Sequence, residues 1–411
     1  MRFTVVTYGT EGDTRPIVAL CRGLIAIGHS VHLFADRSTL STAKLLGVAA
    51  TPLAGDMREA ADPDAALSRL MKDGGGVQRM TRAVARIANA NTAAWMECVL
   101  KDARSSDAIL FSGIASYIGL SVGECLNIPA IGLGLWPISP TREFASPLLR
   151  PWRMPGWLNL ASHHAVNRLL WRHFRRSLNE ARRKIASQPN RRAMWRRYPV
   201  MYGVSRYLVP QPKDWPAEWQ ICGAWRIPEG LWTPQDDLAE FIADGPPPIY
   251  IGFGSMGGFD KGRLLAVVID AVAGRRAIFY PGWSGIVSTE LPSNFFTVGE
   301  TSHAWLFPRM SMVIHHGGAG TSHSAAQAGV PSIVIPFAGD QFFWAHRLAC
   351  AGIAPAYVEH TRIDAAVLAD AISYAERDDV RDRAKKLAAV ISQEDGVRNA
   401  VEGIARVLEE A

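Results

Sequence analysis

The residues best suited to chemistry lie in one short stretch of this 411-residue chain, which reads His315-His316-Gly317-Gly318-Ala319-Gly320-Thr321. An apolar run at 310–314 precedes it and predicts a buried strand, while the small residues that follow favour a helix. The free N–H groups and the dipole at such a helix start bind anions, and glycines let a phosphate approach the backbone. The stretch therefore predicts a diphosphate site. The alternative is a tight turn with two packed histidines.

An acidic residue, Asp13, is the second candidate site residue. It ends the turn 9–13, which follows a predicted strand at 3–8 and precedes a helix with Pro16 near its first position. In doubly wound sheets, ligands bind beyond the carboxyl ends of the strands, which is where Asp13 falls. A carboxylate at a helix start can instead act as a cap or as a partner of the helix dipole.

The elements that must position these residues repeat one strand–helix rhythm twice. Strand patterns occur at 3–8, 31–34, 107–112 and 128–134, and again at 249–255, 276–280, 295–298 and 310–314. This order predicts an α/β fold with two Rossmann-like, doubly wound domains that face each other across a cleft. We place the domains at 1–212 and 213–395, next to a proline-rich linker at 209–216, with a closing helix at 396–411 that packs back on the first domain.

Composition and cysteine usage limit the class of protein. A chain of this length predicts two domains rather than one core. The five cysteines have no paired spacing, so we expect neither a zinc site nor a disulfide framework, and a reducing cytoplasm. The chain starts directly in a strand without a signal peptide, and its longest uncharged run, 108–123, is too short to span a membrane. We therefore expect a cytoplasmic protein.

No metal site is expected. Asp62-Pro63-Asp64 has the form of an Asp-x-Asp metal motif, but it falls in an alanine-rich segment with no strand before it. We interpret it as a solvated turn before a helix.

A basic segment spans 168–206. Only Glu180 opposes its cations, which are Arg168, Arg172, Arg175, Arg176, Arg182, Arg183, Lys184, Arg191, Arg192, Arg196, Arg197 and Arg206. Such a segment is typical of a solvated helix face packed by its aromatic residues, or of a helix that lies on an anionic membrane. No nucleic-acid recognition motif accompanies the charge, so we do not expect nucleic acid as a partner.

Several motifs together resemble the nucleotide-sugar signature of the UDP-glycosyltransferase superfamily, which has the GT-B fold. They are the 315–321 stretch, Trp305-Leu306-Phe307-Pro308, Ala328-Gly329-Val330-Pro331 and Pro336-Phe337-Ala338-Gly339-Asp340-Gln341. The first turn, Gly9 to Pro16, and the run Phe253-Gly254-Ser255-Met256 resemble the same superfamily. Within it, the chain most resembles sterol 3β-glucosyltransferases and bacterial natural-product glycosyltransferases.

The resemblance implies a role for each matching residue. Asp13 would be the general base of an inverting transfer. The donor phosphates would contact Ser255, His315, His316, Gly317, Gly318, Gly320 and Thr321. Asp340 and Gln341 would hold hydroxyls of the transferred hexose, and a carboxylate beside an amide suits glucose. The N-terminal domain would bind the acceptor and the C-terminal domain the UDP-sugar, which is a co-substrate; no cofactor or metal is implied.

The chain also departs from the family pattern. Glu11 stands where an arginine is common, and a nearby carboxylate would raise the proton affinity of Asp13. His323 occupies the place where plant relatives hold the ribose with a glutamate, and Trp305 is too close to His315 to be their uracil-stacking tryptophan.

The resemblance implies an apolar acceptor, such as a sterol, terpenoid, polyketide or lipid, and leaves other donors open. A TDP-deoxysugar or UDP-N-acetylglucosamine donor would use the same scaffold. A nucleotide-sugar-binding protein without catalysis is a further alternative, against which Asp13, Asp340 and Gln341 argue. The basic segment would bring the enzyme to membranes in which such acceptors dissolve.

Overall fold

The computed structural model describes residues 1–56, 77–151, 153–227, 232–254, 261–282 and 291–410. The described residues form two parallel sheets, each flanked by helices on both faces. Ser255 and the Asp62–Asp64 turn lie outside the described residues, so the expectations about them stay predictions.

The first half of the molecule is a seven-stranded sheet in the order β3-β2-β1-β4-β5-β6-β7. Its strands are β1 (Arg2–Val6), β2 (Ser30–Asp36), β3 (Ala49–Leu53), β4 (Ala108–Phe111), β5 (Ala130–Gly134), β6 (Val200–Tyr202) and β7 (Trp219–Ile221). Its helices are α1 (Glu11–Ala26), α2 (Leu40–Leu45), α3 (Val77–Ala103), α4 (Ser116–Leu126) and α5 (Gly156–Lys184).

The second half is a five-stranded parallel sheet in the order β10-β9-β8-β11-β12. Its strands are β8 (Ile249–Gly252), β9 (Ala277–Tyr280), β10 (Phe295–Thr297), β11 (Met312–His315) and β12 (Ser332–Val334). Its helices are α6 (Asp236–Ala243), α7 (Lys261–Val272), α8 (His303–Leu306), α9 (Ala319–Ala328), α10 (Gln341–Cys350), α11 (Ala365–Glu376) and α12 (Asp378–Ile391).

In both sheets the chain starts at a central strand, extends to one edge, and then returns to build the other side. This strand order confirms the predicted doubly wound α/β class. The central strands are apolar along their whole length because helices cover both faces, as in β4 (Ala-Ile-Leu-Phe), where every residue is buried. The first sheet continues through β7, beyond the predicted boundary at residue 212. The domain limits themselves stay a prediction.

The last helix, α13 (Gly396–Glu409), leaves the second half and packs on the first. Ala400 and Ile404 join the core beneath α1, and a Cβ on Gly23 would lie only 2.3 Å from Val397. The chain therefore passes between the halves twice, once after β7 and once before α13. The two passages touch, because a Cβ on Gly223 would lie 2.9 Å from the Cα of Gly396.

Helix α1 begins three residues earlier than the sequence predicts. Thr10 is its N-cap, and the carboxylate of Asp13 accepts a hydrogen bond from the Thr10 N–H, which completes a capping box. Asp13 therefore lies inside the first turn of the helix rather than in the turn before it.

The basic segment is only partly helical. Helix α5 ends at Lys184, and the chain from 185 to 199 is irregular before it enters β6. Trp171, Phe174 and Leu178 pack against the first sheet's helices, as a helix packed by its aromatic residues requires. Arg182 is buried and donates to Glu124.

Candidate active site

The turn between β11 and α9 is built around glycines. Gly317 has a φ of +90°, and a Cβ there would lie 2.8 Å from Val334 and 2.9 Å from the main-chain oxygen of Gln341. Only glycine fits that position without strain. The N-cap of α9 is Gly318, and no side chain caps the helix. The first N–H groups of α9, which include those of Gly320 and Thr321, are thus available to an anion.

His315 ends β11 and is completely buried. Its Nδ1 accepts a hydrogen bond of 3.1 Å from the Gly317 N–H, so the proton of the neutral ring is on Nε2. Nε2 is buried and has no hydrogen-bond partner in the described part of the chain. A buried donor without a partner is costly, and a phosphate oxygen would satisfy it.

His316 holds two glycine turns together. A Cβ on Gly318 would lie 2.6 Å from its Nε2, and one on Gly254 would lie 2.9 Å from its Cε1. The ring is therefore sandwiched between the turn after β8 and the turn after β11. This packing is the alternative that the sequence left open for one of the two histidines; a phosphate contact through His316 stays a prediction.

The histidines of this region are neutral. Burial lowers the pKa of His315 well below its usual range, with the neighbouring His316 and His303 adding to the effect. Burial also lowers the pKa of His316 to about 4, against a hydrogen bond to the Gly252 carbonyl. The pKa of His303 falls to about 3 through burial and the charges of Arg15 and His316. At neutral pH these rings act through hydrogen bonds and not as cations.

Asp13 lies opposite this turn, on the first half of the molecule. Its Oδ2 accepts from the N–H of Thr10 at 2.8 Å and from the hydroxyl of Thr10 at 3.2 Å. Burial raises the pKa of Asp13, and the two Thr10 bonds oppose that rise. Glu11 does not contribute to this pKa shift, and its carboxylate accepts from Thr42 on α2. A Cβ on Gly9 would lie 2.2 Å from Oδ2, so glycine is required beside the carboxylate.

Asp340 is the N-cap of α10 in the second half. Its Oδ2 accepts a hydrogen bond of 2.9 Å from the indole Nε1 of Trp344. Burial raises the pKa of Asp340 to about 6; the Trp344 bond opposes the shift and the charge of Asp13 adds to it. The two carboxylates therefore come from facing halves and lie close enough to repel each other.

The side-chain oxygen of Gln341 accepts hydrogen bonds from the loop that precedes α10. Its Oε1 accepts from the main-chain N–H groups of Phe337 at 2.8 Å and Ala338 at 3.1 Å. The side chain is buried and this oxygen shapes the loop 337–340, because a tight loop needs acceptors for its own N–H groups. The expectation that Gln341 holds a hydroxyl of the transferred hexose stays a prediction.

Two other residues noted in the sequence also pack into the protein. His323 donates through Nδ1 to the Ala319 carbonyl at 2.7 Å, and its Nε2 accepts from the Ser205 N–H at 3.0 Å. Both ring nitrogens of His323 are therefore engaged within the protein. Trp305 packs between Trp232 and Arg309.

Sequence reasoning missed three residues of this cleft: Arg15, His303 and Trp344. Arg15 and His303 come from different halves, so no sequence pattern joins them. Trp344 had a signal, because it follows Asp340 by four residues and therefore lies on the same face of a helix. A cluster of three or more His, Cys, Asp or Glu side chains able to hold a metal ion was not found among the described residues.

Two facing doubly wound α/β halves are the architecture of the GT-B class of glycosyltransferases. Residues 281–401 match the family described as erythromycin biosynthesis protein CIII-like, C-terminal domain. Over 99% of its length the chain is 31% identical to sterol 3-beta-glucosyltransferase UGT80B1 of Arabidopsis thaliana, of which it covers 68%. It therefore belongs to the UDP-glycosyltransferase superfamily, together with the sterol 3-beta-glucosyltransferases.

Other similar proteins are longer than this chain. It is 30% identical to the UDP-sugar-dependent glycosyltransferase 52 of Dictyostelium discoideum, but spans only 26% of that protein. It is also 30% identical to the sterol 3-beta-glucosyltransferase of Aspergillus clavatus and spans 30% of it. The chain thus corresponds to one part of these relatives.

Solved structures share the fold. The glycosyltransferase of kitacinnamycin has a TM-score of 0.66 at 19% identity, with 98% of each chain covered. Glycosyltransferase VinC, solved in complex with DTDP, has a TM-score of 0.66 at 16% identity over both full lengths. At these identities the likeness shows the fold alone. No helix in the described part of the chain is long and apolar enough to cross a bilayer.

Proposed function

We propose that this protein is an inverting glycosyltransferase that moves glucose from UDP-glucose to a hydroxyl of an apolar small molecule. The observation that supports the proposal is the pairing of Asp13 and Asp340 across the cleft, together with the unpartnered Nε2 of His315 on the second half. One carboxylate stands on each half, as a transfer between an acceptor on one half and a donor on the other requires.

Asp13 acts as the general base. As the acceptor oxygen attacks the anomeric carbon, its proton passes to Asp13, and the bond between that carbon and the diphosphate oxygen breaks. The raised pKa brings Asp13 nearer to neutrality, where a base is most efficient, while the Thr10 bonds hold its carboxylate in place. Oδ2 is used by Thr10, so the proton is expected at Oδ1.

The leaving diphosphate meets fixed donors. Its charge is placed at the uncapped N-terminus of α9 and at the Nε2–H of His315. Ser255, His316 and Thr321 add to this set in our proposal. We propose that these donors do the work of a divalent cation, so that the transfer proceeds without a metal. Excess chelator should leave the rate unchanged, and a rate restored only by added Mg²⁺ would contradict this.

The donor is proposed as UDP-glucose because relatives are named sterol 3-beta-glucosyltransferases and because the family resemblance assigns Asp340 to the hexose hydroxyls. Two of the similar structures carry a thymidine diphosphate in their description, so a TDP-sugar is the second candidate. A donor panel measured by release of the nucleotide separates them. Preference for a TDP-deoxysugar would overturn our assignment.

The acceptor is proposed as a sterol or another apolar natural product that carries a hydroxyl. A mass-spectrometric screen of such acceptors with UDP-glucose identifies it by a mass gain of one hexose. Binding of UDP without transfer to any acceptor or to water would favour the non-catalytic alternative.

Replacing the base tests the mechanism. Asp13→Asn should lower turnover by roughly 10²–10⁴-fold, the usual worth of a general base, and leave UDP binding nearly intact. Asp107→Asn is a matched control: in the described part of the chain, the side chain of Asp107 accepts from the main-chain N–H of Arg2, on the surface. It should behave as the wild type. Unchanged turnover in Asp13→Asn would reject Asp13 as the base.

We also propose that α5 contacts anionic membranes. Trp157, Arg168, Arg172 and Arg175 are exposed and lie within about 60° of one another around the helix axis, at 100° per residue. Arg182 and Arg191 are excluded from this surface because both bind Glu124. An aromatic residue beside a row of cations is typical of a helix at a membrane interface.

Vesicle sedimentation tests this contact. Wild-type protein should sediment with vesicles that contain phosphatidylserine, less so at high salt, and not with neutral vesicles. Arg172→Glu/Arg175→Glu should abolish sedimentation, whereas Arg37→Glu/Arg362→Glu, an equal charge change at exposed positions elsewhere, should not. Equal loss in both variants would leave a non-specific charge effect and contradict a docking surface on α5.

A further inference from the structure

Trp344 is a completely buried side chain with one polar atom, and that atom donates to Asp340. The distance from its Nε1 to Oδ2 is 2.9 Å. Trp344 also lies four residues after Asp340, and its main-chain N–H donates to the Asp340 carbonyl at 3.1 Å. Both ends of Asp340, its carbonyl and its carboxylate, are thus bound to one residue.

We propose that Trp344 is the positioning residue for the donor sugar: its indole N–H fixes the rotation of the Asp340 carboxylate so that Oδ1 faces the hexose. This inference rests on the proposed function, in which Asp340 binds hydroxyls of the transferred sugar. Trp344 does not touch the substrate and acts through Asp340.

The indole ring is itself held by contacts that reach the first half of the molecule. The ring of His323 packs edge-on against it, with centroids 4.9 Å apart and an angle of 70° between the planes. Nε2 of His323 accepts from the Ser205 N–H, just after β6. Burial lowers the pKa of His323 to about 4, which keeps Nε2 an acceptor at neutral pH. The position of the sugar-binding carboxylate is therefore tied to the first half.

The bond also matters because Asp340 lies near another negative charge. Without the indole donor, Asp340 would keep its burial and the repulsion from Asp13, and both favour the protonated acid. A protonated and freely rotating carboxyl group accepts poorly from sugar hydroxyls. Loss of the N–H should therefore weaken the binding of the sugar and not that of the nucleotide.

Trp344→Phe keeps an aromatic ring and removes the donor. By calorimetry, its affinity for UDP-glucose should fall about tenfold at pH 7, the size of effect expected for a hydrogen bond to a charged group. Its affinity for UDP should stay the same. The pH at which UDP-glucose affinity falls to half should also move upward, because the donor that favoured the ionised carboxylate is gone.

Two further variants separate this role from damage to the fold. Trp171→Phe removes another buried indole N–H, which donates to the Arg192 carbonyl far from the cleft, and should leave both affinities unchanged. In Asp340→Ala, which removes both side-chain oxygens, adding Trp344→Phe should weaken UDP-glucose binding no further, because Trp344 acts only through the carboxylate.

The outcomes are distinct. If Trp344→Phe weakens UDP and UDP-glucose equally, or if its effect adds to that of Asp340→Ala, Trp344 is a packing residue and the inference is overturned. If the wild type binds UDP-glucose no more tightly than UDP, and binds a TDP-sugar more tightly than either, the proposed donor is wrong. The same comparison of sugar nucleotide with bare nucleotide then tests Trp344 on that donor.

Discussion

At the scale of single residues, the cleft places uncharged histidines and two carboxylates where a charged substrate arrives. The pKa of each histidine is lowered, and those of Asp13 and Asp340 are raised, in every case chiefly by burial. Burial disfavours whichever form is charged. The histidines are therefore uncharged at neutral pH, and the two carboxylates keep their protons to a higher pH than exposed carboxylates do.

The titration of Asp340 sets a pH dependence for donor binding. Its carboxylate accepts hydroxyl protons only when ionised, and its pKa is about 6, so UDP-glucose affinity should fall as the pH decreases through about 6. UDP affinity should fall much less over the same range. Calorimetry of both ligands between pH 5 and pH 8 measures this, and parallel curves would show that Asp340 does not contact the sugar.

Asp13 shows how one residue serves both the fold and the chemistry. Sequence reasoning left a helix cap and a site residue as alternatives, and the structure has the cap, because Oδ2 completes a capping box with Thr10. The other carboxylate oxygen, Oδ1, and the raised pKa still allow Asp13 to act as the proposed base. Neither reading excluded the other.

At the scale of elements, the turn between β11 and α9 accepts side chains at some glycines and not at others. A Cβ on Gly318 would lie 2.6 Å from the ring of His316, whereas one on Gly320 has nothing within 4 Å. Gly318→Ala should therefore displace His316 and weaken UDP binding by about tenfold or more, as expected when a buried contact must move.

Gly320→Ala is the matched variant on the same turn. It should fold with equal or slightly greater stability, by about 0.5–1 kcal/mol, because alanine is the better helix former. Thermal melts and UDP titrations of both variants test the pair. Equal loss of UDP affinity in the two would mean that the phosphate, rather than His316, fills the space above the turn.

The long apolar strands were predictable from sequence, whereas β3, β6, β7 and the course of the loops were not. Buried parallel strands such as β4 and β11 are largely apolar runs in the sequence. The glycines around Gly317 indicate a turn. The use of the Gln341 oxygen by Phe337 and Ala338 depends on how the loop 337–340 folds, which no periodicity encodes. The spacing of Trp344 from Asp340 places both on one helix face, but the hydrogen bond between them depends on the rotamers of both side chains.

At the scale of the whole molecule, an ion pair joins the two halves close to the start of α10. Arg150 binds Glu359 with bonds of 2.6 and 3.1 Å, and its guanidinium also lies over Phe342 of α10. Arg150 is 59% exposed, so the pair should add no more than about 1 kcal/mol to stability. It can still favour the closed arrangement.

Arg150→Ala should therefore leave the melting temperature nearly unchanged and lower kcat/KM about two- to fivefold, the equivalent of up to about 1 kcal/mol. Salt should lower kcat/KM of the wild type but not that of the variant. Arg275→Ala, which removes a comparably exposed pair with Glu376 inside the second half, is the control. An equal loss of kcat/KM in both variants would show that the effect does not come from the ion pair between the two halves.

The contact between Gly223 and Gly396 has a mechanical consequence. Because the two covalent connections between the halves touch at one point, we expect the halves to rotate about that point and not to slide or twist past each other. Substrates would then enter and products leave by a single rotation of one half against the other. A larger side chain at either glycine would block that rotation and leave both sheets unchanged.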